Sequence, residues 1–294
     1  LNSAVDQNSG RVMRQAIYLG VAFAAMGSIA QLRVKTIRAL SPLSYVLGVA
    51  LLALIPWLGV EVNGARRWLD VFGLIRFQPS ELLKIAVPLT VAAYLAANIL
   101  PPSLSRLFGS IALLLIPGGL ILIQPDLGTA ILVGTSGILV IWLAGMQWRY
   151  IAAALLLLAS SAWPIWHYVL EGYQRQRILT LFNPEADKLG AGWNIIQSKT
   201  AIGSGGLTGK GWLNGTQSQL DFLPEGHTDF IIAVLAEEFG LIGVALLLLL
   251  YVLVILRGAY ISLTARDIFG SLIAGSITFT FFVYVLVNMG MVAG

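Results

Sequence analysis

The sequence predicts an all-α, polytopic integral membrane protein with about eight transmembrane helices. The first observation is its composition, because 57% of the 294 residues are hydrophobic and only 11% are charged. One soluble core of this length would not bury so much apolar surface. The second observation is a series of apolar runs, each close to the roughly 20 residues that span a bilayer. They lie at 15–32, 42–60, 79–99, 107–123, 127–145, 149–170, 228–256 and 268–292.

The charged residues predict how these helices are oriented. Seven basic residues fall in short connections on one side, which include a single acid, Asp267: they are Arg33, Lys35, Arg38, Arg106, Arg149, Arg257 and Arg266. The positive-inside bias makes this side cytoplasmic. The other side then carries two extracytoplasmic loops, 61–78 and 171–227, around a single transmembrane domain that covers 1–294. Since the net charge of +4 arises in these short connections, we expect no nucleic-acid partner.

The loop at 61–78 and the helix after it carry the first candidate site residues. Basic and aromatic side chains cluster there, at Arg66, Arg67, Trp68 and Arg76. Glu81 and Lys84 follow on the predicted helix, three residues apart, so they share a face and can pair. An interfacial belt is the alternative, with tryptophan at the headgroups and arginines reaching phosphates. That alternative fits Lys84 less well, because Lys84 lies inside an apolar run.

A second candidate is Asp126, in the tight turn QPDLG between two apolar runs. Its carboxylate could accept backbone N–H bonds and cap the following helix. It could equally take part in chemistry. The sequence leaves both roles open.

The loop 171–227 has 57 residues, which is too long for an idle connection and indicates a functional segment. Its start predicts a short amphipathic surface helix near 178–182, with Arg175 and Arg177 toward headgroups. A glycine-rich stretch, GSGGLTGKG, follows at 203–211. It is not a nucleotide phosphate loop, because Gly211 follows Lys210 where Ser or Thr is needed. Its backbone N–H groups could still approach a phosphate, and Lys210 is a candidate substrate contact.

The run from 228 opens beside acids whose burial in a bilayer would cost several kcal/mol unless they were paired or hydrated. Glu237 and Glu238 lie about 100° apart on a helix, so we expect only one to face the protein interior. We expect the glutamates to hold helices together, and Asp229 to meet a substrate at the outer surface. His227 is expected to orient the loop rather than to bind a metal.

Several long strings carry a resemblance to a known family: NGARRWLD, FQPSELLKIAVP, QPDLGTAIL, GAGWNIIQSKTAIGSGGLTGKGW and GTQSQLDFLPEGHTDFIIAVLAEEFG. They resemble the SEDS (shape, elongation, division and sporulation) family, and its elongation branch more than its division branch. The resemblance covers nearly the whole chain. Members of the family have ten membrane helices, which implies that the first and last of them lie outside this sequence.

The resemblance implies a peptidoglycan glycosyltransferase that polymerises lipid II in the bacterial inner membrane, with its active site facing the periplasm. It implies a class B penicillin-binding protein as the crosslinking partner, beside other proteins of the elongation complex and the membrane lipids. The family's essential acid falls on Asp229. The family's functionally sensitive loop tryptophan falls on Trp68, with the adjacent basic residue at Arg67. The family also has an acid and a base at the positions of Glu81 and Lys84, and an acid at the position of Asp126.

The chemistry of this reaction suits these residue types. A base must deprotonate the acceptor's 4-hydroxyl while a diphosphate leaves the donor sugar, and Asp229 in that role would contribute about 10²–10⁴-fold. Cations would stabilise the leaving group, with Arg67, Lys84, Arg175 and Lys199 as candidates. A divalent cation, Mg²⁺ or Mn²⁺, could assist, although no compact ligand motif requires it. Two alternatives remain: a lipid II transporter and a non-catalytic scaffold for the crosslinking enzyme.

Overall fold

The computed structural model describes residues 9–62, 65–71, 75–170, 172, 174–176, 179, 191–219 and 229–293. Most of these residues are helical. The helices are α1 (Ser9–Ala30), α2 (Val34–Leu58), α3 (Pro79–Leu95), α4 (Leu104–Ile123), α5 (Leu127–Leu143), α6 (Trp148–Pro164), α7 (Ala191–Gly205), α8 (Thr216–Gln219), α9 (Ile231–Thr264) and α10 (Ile268–Ala293). A π-helical turn, Ile165–Val169, continues α6.

The helices confirm the predicted fold class. Five are long and apolar enough to cross a membrane: α2, α4, α6 with its π-helical turn, α9 and α10. The other three predicted runs fall on α1, α3 and α5, of which α3 and α5 have 17 residues each. Only 6% of the apolar window of α9 is buried inside the protein. Its outward apolar surface suits contact with lipid tails.

The chain divides into two compact units. One comprises residues 32–153 and 254–282, and we call it the α2–α5 unit. The other comprises residues 1–31, 154–253 and 283–294, and we call it the α7–α9 unit. Helices α6, α9 and α10 each continue from one unit into the other.

The core of the α2–α5 unit forms around α3. The side chains of Leu83, Val87, Val91 and Leu95, spaced four residues apart on this helix, are all buried. Polar contacts link the neighbouring helices, as where Thr90 Oγ1 donates to the Ser41 carbonyl at 2.9 Å. Such contacts satisfy groups that lipid could not satisfy.

A small antiparallel sheet occupies most of the predicted loop 61–78. Its strands are β1 (Gly59–Val62), β2 (Ala65–Val71) and β3 (Ile75–Phe77), in the order β1-β2-β3. Trp68 pairs with Val60, and Leu69 pairs with Phe77. Leu69 is buried against the helical core, which anchors the sheet to the end of the unit. The sequence predicted a loop here, because strands of three to seven residues leave only a weak pattern.

In the α7–α9 unit, α7 packs along one face. Its buried positions recur every three or four residues, at Gly192, Ile195, Ser198, Ala201 and Gly205. Ser198 Oγ donates to the Val292 carbonyl at 2.7 Å, which fixes α7 to the end of α10. At the other end of α7, a β-carbon on Gly205 would lie 2.0 Å from the Ala236 carbonyl oxygen of α9. A glycine is therefore needed where α7 ends.

This contact predicts different outcomes for two alanine substitutions in α7. Gly205→Ala should lower the free energy of unfolding by about 2 kcal/mol, because the new methyl group overlaps backbone that cannot move aside alone. Gly203→Ala is the matched control, since a β-carbon there meets nothing within 4 Å. Thermal unfolding of both variants in detergent measures the difference. Equal stability of the two variants would show that α7 and α9 are not in this close contact.

Candidate functional site

The middle of α9 is interrupted at Gly240, whose φ of 63° and ψ of −162° are not helical. Residues 206–217, which we call the docked segment, bind at this interruption. In a regular helix, the N–H groups of residues 241 and 242 would donate to the carbonyls of residues 237 and 238. Instead, Leu241 N donates to Gly206 O at 3.0 Å and Ile242 N to Leu207 O at 3.2 Å.

The docked segment also supplies the donors that the two carbonyls lose. Lys210 N donates to Glu237 O, and Gly211 N donates to Glu238 O, both at 3.0 Å. The segment thus replaces both partners of two broken helical hydrogen bonds. The sequence suggested that N–H groups of this glycine-rich stretch could approach a phosphate. In the structure, the N–H groups of Lys210 and Gly211 bind α9 instead.

Glycine is required at the centre of this contact. Gly209 has a φ of +79°, and a β-carbon there would lie 2.0 Å from Glu238 O. Likewise, a β-carbon on Gly240 would lie 2.4 Å from Gly209 N. Both residues adopt left-handed backbone where side chains are strained. The two chains can approach so closely only because neither residue has a side chain.

The docked segment buries Glu237 and Glu238 together. Glu237 Oε1 accepts hydrogen bonds from Lys210 Nζ at 2.7 Å, Gln217 N at 3.0 Å and Thr216 Oγ1 at 3.1 Å. Glu238 Oε1 accepts one from Leu213 N at 3.1 Å. The two residues are 0% and 2% exposed.

This arrangement corrects the expectation that only one of the two glutamates faces the interior. That expectation assumed a regular helix with a single protein-facing side. The docked segment covers the helix on both sides of the interruption, so it reaches both carboxylates. They hold this segment, which includes the first residues of α8, to α9.

Asp229 precedes α9 and contrasts with the two glutamates, because it is exposed. Its backbone carbonyl accepts a hydrogen bond from Asn288 Nδ2 of α10 at 3.0 Å. The next residue, Phe230, is buried at 5% exposure. The backbone is thus fixed at the Asp229 carbonyl and at the next residue, while Asp229 itself stays accessible. Sequence reasoning missed Asn288, although a polar residue in so apolar a run is a signal of function. His227 lies outside the described residues.

In the α2–α5 unit, Arg67 ties the sheet to the turn between α4 and α5. Its Nε donates to the Gln124 carbonyl at 3.1 Å, and its Nη2 donates to the Pro125 carbonyl at 2.7 Å. Nη1 lies 3.7 Å from Asp126 Oδ2. The side chain is 32% exposed. Arg67 therefore holds the backbone of the QPDLG turn as well as its carboxylate.

Asp126 caps α5. Of the two roles that the sequence left open, this confirms the structural one. Oδ1 accepts a hydrogen bond from Thr129 N at 3.1 Å, and Oδ2 accepts one from Gln78 Nε2 at 3.1 Å. Gln78 was missed by sequence reasoning, and no local pattern marked it. A role of Asp126 in substrate binding stays a prediction.

The predicted pair of Glu81 and Lys84 is confirmed on α3. Lys84 Nζ lies 2.7 Å from Glu81 Oε1, and the two side chains are 58% (Glu81) and 20% (Lys84) exposed. The α2–α5 unit therefore contains five of the predicted substrate-binding residues: Arg67, Trp68, Glu81, Lys84 and Asp126. Trp68 is half-buried in β2.

The remaining predicted cations belong to the α7–α9 unit. Arg175 Nε donates to the Leu170 carbonyl and Nη2 to the His167 carbonyl, both at 3.0 Å, so Arg175 caps the π-helical turn. Lys210 binds Glu237 as described. Lys199 is exposed on α7 and has no ion-pair partner among the described residues. Most of the predicted surface helix near 178–182, like Arg177, lies outside the described residues.

The acids and histidines in the described part of the chain do not gather into a group of three that could hold a metal ion. A divalent cation stays a prediction.

The cap predicts how Asp126 variants behave. Asp126→Ala should lower the free energy of unfolding by about 1 kcal/mol, because Thr129 N loses its acceptor. Asp126→Asn should recover most of this loss, since its amide oxygen can still accept that hydrogen bond. Thermal unfolding distinguishes the two. If Asp126→Asn is destabilised as much as Asp126→Ala, the charge beside Arg67 contributes more to stability than the cap does.

The buried carboxylate predicts a larger effect. Glu237→Gln should lower the free energy of unfolding by about 2–3 kcal/mol, because Lys210 loses its charged partner and an amide group faces the N–H of Gln217. Glu81→Gln is the control, an exposed carboxylate whose loss should change stability by less than about 1 kcal/mol.

Limited proteolysis within residues 206–217, together with thermal unfolding, reads out both variants. Faster cleavage in Glu237→Gln alone is the expected result. Equal cleavage in both variants would mean that Glu237 does not hold the docked segment.

The chain is similar to known membrane proteins over almost its whole length. Residues 2–294 match the family described as cell cycle protein, FtsW/RodA/SpoVE. The chain is 48% identical over 292 residues to the peptidoglycan glycosyltransferase MrdB of Escherichia coli K12, which covers 99% of this chain and 79% of that protein. It is 36% identical over 288 residues to a probable peptidoglycan glycosyltransferase FtsW of Alkalilimnicola ehrlichii, covering 96% and 71%.

Two solved structures share the fold. One comes from a study of a peptidoglycan synthase complex that coordinates polymerization and crosslinking, with a TM-score of 0.81 and 30% identity over 98% of this chain and 80% of that one. The other is the rod shape determining protein RodA of Thermus thermophilus, with a TM-score of 0.70 and 27% identity over 100% and 79%. These similarities confirm the SEDS resemblance, and the chain belongs to the FtsW/RodA/SpoVE family.

Proposed function

We propose that this protein is a peptidoglycan glycosyltransferase that polymerises lipid II into glycan strands for cell elongation, with Asp229 as the general base. Family membership and the relatives named as peptidoglycan glycosyltransferases support the reaction. The observation that carries the role of Asp229 is its contrast with Glu237 and Glu238. Asp229 is exposed, and its backbone carbonyl is held by Asn288. Both glutamates are buried, and their carboxylates accept hydrogen bonds from the docked segment.

The proposed step is a single displacement. The 4-hydroxyl oxygen of the acceptor sugar attacks the anomeric carbon of the donor and forms the new glycosidic bond. The bond between that carbon and the lipid diphosphate breaks, and the diphosphate leaves with the electron pair. The Asp229 carboxylate takes the hydroxyl proton. Because the oxygen attacks opposite the leaving diphosphate in one displacement, the configuration at the anomeric carbon inverts.

The leaving diphosphate needs positive charge near it. Of the predicted cations, Arg67 and Arg175 donate to backbone carbonyls, and Lys84 and Lys210 pair with glutamates. Lys199 is exposed and has no ion-pair partner in the described part of the chain, and it belongs to the same unit as Asp229. We therefore favour Lys199 for this role. Substrate contacts of the other cations and of Trp68, Glu81 and Asp126 stay predictions.

The proposal places the protein in the bacterial inner membrane with Asp229 at the periplasmic face. The basic connections at the opposite helix ends support this orientation. A class B penicillin-binding protein is proposed as the crosslinking partner. The similarity to a structure from a peptidoglycan synthase complex supports that partner. A divalent cation that binds the diphosphate would supply additional positive charge.

The test of the proposal compares two substitutions in the protein copurified with its penicillin-binding partner. Fluorescent lipid II is supplied in detergent, moenomycin silences contaminating classical glycosyltransferases, and glycan products are separated on a gel. Asp229→Asn keeps the shape of the side chain but removes the base, so the rate should fall by about 10²–10⁴-fold. Asp267→Asn is the matched control, because Asp267 is also exposed and caps the start of α10 through Gly270 N at 2.8 Å.

A glycan ladder from the wild type and from Asp267→Asn, with none from Asp229→Asn, is the expected result. Equal ladders from both variants would remove Asp229 from the mechanism. If no form makes glycan while vesicles that contain the protein translocate lipid II, a transporter replaces the proposed enzyme.

A further inference from the structure

A cavity of about 770 Å³ lies where the connection from α3 to α4 meets the connection from α5 to α6. The two connections touch, since a β-carbon added to Gly145 would lie 3.6 Å from Pro101 Cβ. Polar and charged side chains line the cavity: Asn98, Ser103, Arg106, Gln147, Arg149 and Tyr150. No Asp or Glu is among the described residues that line it. The cavity therefore carries two positive charges that no carboxylate in its wall offsets.

Both arginines are oriented by tyrosines. The guanidinium carbon of Arg106 lies 4.9 Å from the ring centre of Tyr94, and that of Arg149 lies 4.7 Å from the ring centre of Tyr150. A cation–π contact needs no lone-pair acceptor, so N–H donors of the guanidinium remain for a ligand. Arg149 uses Nη2 to donate to Tyr150 Oη at 2.8 Å. Arg106 donates to no other described residue.

A second cavity, of about 500 Å³, adjoins the first. Tyr94 lines it, and the ring of Tyr94 is the one against which Arg106 packs. Its lining includes Lys35 and Arg38 and no acid among the described residues. Four cations thus surround Tyr94 and the two connections. All four lie at the helix ends that the charge distribution predicts to be cytoplasmic.

The surroundings of the first cavity are apolar and exposed. Ile99 is 91% exposed, Leu104 is 51% exposed and both line it, while Trp148 beside Arg149 is 79% exposed. Exposed tryptophan is typical of the membrane–water interface. Arginine forks match the oxygens of phosphate. A ligand that suits the whole cavity combines a phosphate group with an apolar part that lies in the membrane.

We propose that this cavity binds the phosphate of an anionic membrane lipid through Arg106 and Arg149. Basic pockets between transmembrane helices at the cytoplasmic side are known to bind such headgroups. The arginine chemistry would also accept a free phosphate ester, whereas the apolar rim favours the lipid. This site is separate from the proposed glycosyl transfer and does not depend on it.

The test is native mass spectrometry of the full chain released from detergent, with phosphatidylglycerol as the probe and phosphatidylcholine as the neutral lipid. The wild type should retain phosphatidylglycerol in preference to phosphatidylcholine. The double variant Arg106→Gln with Arg149→Gln should bind phosphatidylglycerol at least about tenfold more weakly, since it loses both cations. The control is Arg257→Gln with Arg266→Gln, which removes two charges from the same predicted side but not from the cavity.

A further variant covers the case in which the double variant fails to fold. Gln147→Glu keeps the shape of an exposed side chain and adds a negative charge to the cavity wall, so it should also weaken binding of phosphatidylglycerol. Displacement of the lipid by an equal concentration of glycerol 3-phosphate would assign the site to a free phosphate ester. No displacement would assign it to the lipid, and both results support a phosphate site. Equal loss in the cavity variants and in the control, or equal retention of both lipids, would overturn the proposal.

Discussion

The structure of the α7–α9 unit depends on one exchange of backbone hydrogen bonds. Within a membrane protein, each buried N–H and carbonyl needs a partner from the protein. At Gly240 the helix gives up two of its own hydrogen bonds, and the docked segment replaces all four partners. Each replacement contributes about 0.5–1.5 kcal/mol net, and leaving these groups unpaired would cost more.

The same exchange explains where the acids lie. A segment that approaches α9 closely enough to bind its carbonyls also covers the side chains of Glu237 and Glu238. These carboxylates are stable when buried because Lys210 and backbone N–H groups bind them. Asp229 lies beyond the docked contact and stays exposed. Of the three acids that the structure describes here, two thus maintain structure and one can meet a substrate.

Local patterns in the sequence predicted much of this structure. All eight apolar runs fall on helices, because lipid imposes a length and composition that are visible in sequence. The pair of Glu81 with Lys84 and the cap at Asp126 follow from spacing along one helix, so they could also be predicted. What could not be predicted joins distant residues. The docked segment meets α9 across about thirty residues of chain, and its glycines carry no sign of which surface they approach. Arg67 likewise reaches carbonyls 57 and 58 residues away.

Residues 206–217 form part of the structure of α9, and the division of the acids depends on this contact. Hydrogen exchange of backbone amides, followed by mass spectrometry on the full chain in detergent, tests it most directly. The N–H groups of Lys210 and Gly211 should exchange as slowly as those of Leu241 and Ile242, because all four donate within one contact. Exchange of Lys210 and Gly211 at the rate of an unstructured loop, with α9 still protected, would contradict the account.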